Sequence, residues 1–68
     1  MDIEPEAILQ FFGYAHLRPE LREVSEPFGL LAQTLVTTLP RNPERTVSLR
    51  KLLEAKDAAV RAKLFKSA

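Results

Sequence analysis

The stretch NPERTVSLRKLLEAKDAAVRAKLFK, residues 42–66, decides the fold. Asn42 offers a side-chain acceptor for an N-cap, and Pro43 suits the first helical position because its missing N–H would be unpaired there. Glu44 is a first-turn acid at the positive end of the helix dipole. From Glu44 to Lys66 there is neither glycine nor proline. Leu49, Leu52, Leu53, Ala55, Ala59, Ala62 and Phe65 fall on one broad side. Alanines at 55, 58, 59 and 62 leave room for another helix to approach closely. Arg50, Glu54, Asp57 and Arg61 line the opposite side, where such pairs add about 0.2–0.5 kcal/mol each. The spacing predicts one long helix over 43–66.

Working outward, residues 40–42 form a turn between Pro40, which cannot extend a preceding helix, and the new cap. Before it, Leu21, Val24, Phe28, Leu31, Leu35 and Leu39 recur at helical spacing, which predicts a first arm over 19–39 opened by Pro19. Pro27 interrupts that arm. A mid-helix proline removes a hydrogen bond and bends the axis, so a kink is expected there, with Ser25 able to cap a restart. Residues 13–18 are a connector carrying Tyr14, His16 and Arg18. Residues 1–12 read as a short helix with Pro5 in its first turn. Ile3, Ala7, Ile8, Phe11 and Phe12 form its apolar side, and Gly13 ends it. The predicted fold is all-α: a short N-terminal helix and an antiparallel helical hairpin, one domain over 1–68.

A chain of 68 residues has a small core, worth roughly 3–5 kcal/mol on its own. There is no cysteine and His16 is the sole histidine, which removes disulfides and Cys/His metal clusters as supports. Subunit association is the remaining support, so a homo-oligomer is expected. A hydrophobic fraction of 46% fits a folded chain. A net charge of +1 argues against a duplex nucleic-acid binder, and no apolar run is long enough to span a membrane. No basic segment precedes an apolar run at the start, so a cytoplasmic location is expected.

No catalytic constellation is visible. His16 is the one natural base, with no Ser or Thr near it in sequence, and the two glycines form no phosphate-cradling loop. The expectation is no enzyme, no cofactor and no metal. Tyr14 reads either as a ring packed at the base of the hairpin or as a platform for an unstacked base, a contact worth about 1–3 kcal/mol. His16 reads as a polar loop residue or a ligand contact. Arg41, Arg45, Arg50 and Lys51 read as a solvated helix face or, gathered from several subunits, as an anion site. Arg61, Lys63 and Lys66 suit the negative C-terminal end of a helix. Gathered around a symmetry axis, they would suit a small polyanion instead.

The segment Leu39-Pro40-Arg41-Asn42-Pro43-Glu44-Arg45-Thr46-Val47-Ser48-Leu49-Arg50-Lys51-Leu52-Leu53-Glu54-Ala55 resembles a phage pattern: a proline turn, Glu-Arg-Ser/Thr, Leu, then Lys-Leu-x-Glu-Ala. It is similar to the hairpin domain shared by phage anti-CBASS cyclic-oligonucleotide sponges and anti-Thoeris sponges. Phe12-Gly13-Tyr14 is similar to that family's Phe-x-Tyr, and Leu31-Ala32 to its mid-helix Leu-Ala. The resemblance spans roughly residues 12–62.

The resemblance implies a short helix plus hairpin, assembled as a hexamer. It also implies a role in immune evasion: binding cyclic nucleotides without cleaving them inside the infected bacterial host, so that defence effectors lose their signal. Cyclic dinucleotides would lie between protomers against Phe12, Tyr14, His16, Arg18, Arg22 and Ser25, with Tyr14 stacking on a base. Ser25 stands, beside Glu26, where the family has a basic residue; Arg22 and Arg18 are the nearest bases. Cyclic trinucleotides would use a symmetric pocket with Arg61 and Lys66. Two other classes stay open: a helical module that docks onto a phage or host protein, and a small DNA-binding regulator, which the low net charge disfavours.

Overall fold

The computed structural model describes residues 6–66. The chain is all-helical. A 3₁₀ segment, Ala7–Phe12, leads through a connector to α1, Pro19–Thr38, and then by a tight turn to α2, Pro43–Leu64. The two long helices pack as a hairpin, and the 3₁₀ segment packs on both. The molecule measures 50 × 22 × 17 Å.

The capping logic of α2 is realised. Asn42 is extended, at φ −159° and ψ 171°, and its side chain accepts from the Arg45 N–H at 2.8 Å. Pro43 takes the first turn and Glu44 is the first-turn acid. The helix stops at Leu64, short of the expected Lys66. Phe65 is extended at φ −63° and ψ 134°, and its N–H bonds to Ala62 O at 3.3 Å. A tightened i→i−3 last turn of this kind satisfies a carbonyl that has no later partner.

Helix α1 is one element of 20 residues with Pro27 inside it. Ser25 therefore lies within the helix instead of capping a restart. Pro19 opens α1, and the Arg18 carbonyl accepts from the N–H groups of Leu21 and Arg22. The expected N-terminal helix is a 3₁₀ segment starting at Ala7, and the part of that expectation on residues 1–5 lies outside the described residues. Gly13 follows it at φ −62°, a conformation open to any residue.

The buried stripe of α1 is not the predicted one. Its fully buried positions are Ser25, Gly29 and Ala32, at i, i+4 and i+7. Phe28 and Leu35 flank them, while Leu31 is left 46% exposed. Small side chains take the centre because they allow the closest approach of neighbouring backbone. A Cβ on Gly29 would sit 2.9 Å from Tyr14 ring carbons and 3.0 Å from the Phe12 carbonyl oxygen. The apolar centre is Phe12, Ala32 and Leu49, supported by Ile8, Leu9, Phe28, Leu35, Val36, Leu52 and Leu53. On α2, Ala55 and Ala62 are exposed instead of forming the inner seam, and Phe65 is 77% exposed.

Arg45 departs most from its expected surface role. It is 9% exposed. Its Nη1 donates to Val36 O at 3.2 Å and Leu39 O at 2.9 Å, and its Nη2 pairs with Glu6 Oε1. A cation in the first turn of α2 is unfavourable for that helix's own dipole. The hairpin places it beside the C-terminal carbonyls of α1, where positive charge is favoured, so Arg45 caps the neighbouring helix and anchors the N-terminal segment. Lys56 does the same further along, donating to Phe11 O at 2.6 Å.

Candidate functional site

The hairpin's open end carries the richest chemistry. There the connector and the start of α1 lie beside the last turns of α2. Between them is an open groove of about 280 Å³, lined by Leu17, Leu21 and Ser25 on one side and Lys56, Asp57, Val60 and Arg61 on the other. Its walls are apolar at Leu17, Leu21 and Val60, and its rim is charged at Lys56, Asp57 and Arg61. The volume is just below the ~300–1,000 Å³ range of small-molecule sites.

The sequence-derived candidates distribute as follows. Phe12 is in the core. Tyr14 is half-buried with its ring on Gly29, and its carbonyl accepts from the Leu17 N–H at 3.1 Å. His16 is exposed on the connector. Arg18 is exposed and paired with Glu20 at 3.2 Å, and the Arg22 guanidinium donates to Leu17 O at 3.0 Å. Both arginines thus brace the connector against the start of α1. Ser25 is fully buried, and its hydroxyl has no hydrogen-bond partner among the described residues. Arg61 is exposed on the groove rim and Lys66 is exposed beyond the end of α2.

The structure thus brings Ser25 and Arg61, assigned in the sequence to two different pockets, to one groove. Ser25 is fully buried at the groove's floor, and Phe12 is likewise enclosed, so the chain's own packing occupies both side chains. No base contacts the Ser25 hydroxyl to activate it. Sequence reasoning passed over Leu17, Lys56 and Val60. Leu17 and Val60 read as ordinary apolar residues, and Lys56 as one more surface charge. The signal available was spacing: Lys56 and Val60 sit one turn apart on the same side of α2 as Leu49 and Leu53.

Among the described residues no group of His, Cys, Asp or Glu could hold a metal ion, and no helix is long and apolar enough to cross a membrane. No protein-family model matches the chain, and no curated protein or solved structure shows significant similarity to it.

Proposed function

We propose that this chain is a non-enzymatic phage sponge that sequesters cyclic di- or trinucleotide immune signals in the cytoplasm of the infected bacterium and so blocks CBASS-type defence. The observation that carries the reading is the open end of the hairpin, where the exposed His16, Arg18 and Arg22 of the connector and α1 and the exposed Arg61, Lys63 and Lys66 at the end of α2 all fall, interspersed with Glu20, Glu23 and Asp57. A cyclic dinucleotide carries two phosphates, which a few guanidinium groups neutralise through charge-assisted hydrogen bonds. Tyr14 adds an aromatic side chain backed by Gly29 and only partly buried, a surface for a base to stack on. Likeness of residues 12–62 to the sponge hairpin supports the same ligand class.

The working form is a homo-oligomer, a hexamer in this reading, with a bend at Pro27 helping the first arm follow its neighbours. Sequestration requires affinity and no catalytic group, which suits a small helical chain.

Isothermal titration against cyclic di- and trinucleotides and cyclic ADP-ribose isomers tests the proposal. Tight binding of at least one, lost in Tyr14→Ala while helix content and mass persist, is expected. No binding to any member at micromolar protein would sink it. A second reading, a protein-docking module, draws on exposed Leu30, Leu31 and Leu39. Copurification of one stoichiometric partner with a monomeric chain would favour it.

A further inference from the structure

Two features at the open end of the hairpin lack a partner. The first is the groove whose apolar walls are Leu17, Leu21 and Val60. The second is Phe65, at 77% the most exposed large apolar side chain among the described residues, with Leu64 at 49% beside it. We infer that Phe65 of one copy seats in this groove of a second copy, and that the contact is reciprocal.

Several observations select a second copy as the occupant. Phe65 does not fill its own groove, as its exposure shows. Phe65 follows Val60 and Arg61 by five and four residues, yet it is extended past the end of α2 and stays exposed. Knob and groove lie on the same end of α2, centred on either side of Ala62. A two-fold axis passing near Ala62 would let each copy give one ring and receive one, and self-complementarity of this kind closes a dimer. Ala58 and Ala62 are small enough to let two helices meet there.

Charge points the same way. Glu23 and Glu26 on α1, and Arg61 and Lys63 on α2, have no ion-pair partner among the described residues. They lie at the same end, where a second copy can pair them. The groove rim also places the exposed Arg61 cation where a ring would enter, and aromatic faces attract cations. The inference rests on the self-association in the proposed function and names its contact. A two-fold contact is one of the two kinds that a hexamer of dihedral symmetry contains. Seating Phe65 also carries the Lys66 of one copy to the connector of the other, so the open end becomes a shared surface.

The chain has no cysteine, which makes cross-linking specific. Lys66→Cys protein, which keeps the Phe65 ring, mixed with Ala15→Cys protein on the connector and then mildly oxidised, is expected to give the mixed Ala15–Lys66 disulfide, identified by mass spectrometry. Lys66→Cys mixed with Val47→Cys, an exposed position near the turn, is expected to give no mixed disulfide. Light scattering on Phe65→Ser is expected to show the native mass at least halved with helix content unchanged, since Phe65 lies outside α2. An unchanged mass together with no Ala15–Lys66 mixed disulfide would overturn the contact and leave self-association to another surface. A wild-type chain that is monomeric at micromolar concentration would overturn both. Closure of an Ala15→Cys/Lys66→Cys double variant at monomer mass would place the end of α2 against its own connector and overturn the reciprocal seat.

Discussion

Replacing Arg45 with methionine tests the account of the fold most severely. Met keeps most of the apolar stem and removes the guanidinium. Three acceptors then lose their donor: the carbonyls of Val36 and Leu39, and the Glu6 carboxylate. The side chains of Arg45 and Glu6 are 9% and 10% exposed, so water replaces little of what is lost. Removing one partner of a buried pair costs about 3–5 kcal/mol. That matches the roughly 3–5 kcal/mol that one core supplies in a chain this small. Arg45→Met is therefore expected to be largely unfolded under conditions where the wild type is folded.

The assay is urea unfolding followed by far-UV circular dichroism, at one protein concentration because association adds to apparent stability. A companion Glu6→Gln/Arg45→Met variant removes both charges. It should recover part of the loss, because no buried carboxylate is left unpaired. If Arg45→Met stays within about 0.5 kcal/mol of wild type, as a solvated surface residue would, the buried clasp is refuted. A double variant no more stable than the single would refute the ion pair specifically.

Gly29→Ala should destabilise the chain although alanine is the better helix former by about 1 kcal/mol. The new methyl meets the Tyr14 ring and the Phe12 carbonyl at about 3 Å, and overpacking of this kind costs roughly 1–3 kcal/mol. A raised melting temperature would show that the ring does not rest on this glycine. Asn42→Ala should cost about 1 kcal/mol by freeing the Arg45 N–H, which lowers the melting temperature by roughly 4–8 °C in a domain of this size. An unchanged melt would mean that the cap is satisfied by water.

Local signals were legible in the sequence and tertiary substitutions were not. Asn42, Pro43 and Glu44 mark the start of α2 because capping depends only on residues within a turn. Pro19 marks the start of α1 for the same reason. The large residues of α1 marked an apolar side. They did not mark its centre, because Ser25, Gly29 and Ala32 carry little hydrophobic signal while permitting the closest contact. Their recurrence at i, i+4 and i+7 was the available clue. Arg45 and Lys56 were unreadable as interior residues because their partners are backbone carbonyls elsewhere in the chain, which composition cannot reveal. The groove is a product of that packing: Leu17 and Val60 meet only once the hairpin has closed.

Phe12, which completes the centre around Ala32 and Leu49, comes from the far end of the chain. This sets an order of assembly. The hairpin closes through a short turn, so its two arms can meet early, whereas the N-terminal segment must return across the whole length of α1 to reach Glu6's partner at the turn. Until it docks, Leu49 and Gly29 stay uncovered. A half-assembled hairpin would thus present a sticky face to its neighbours during synthesis, and the speed of N-terminal docking decides between ordered assembly and aggregation.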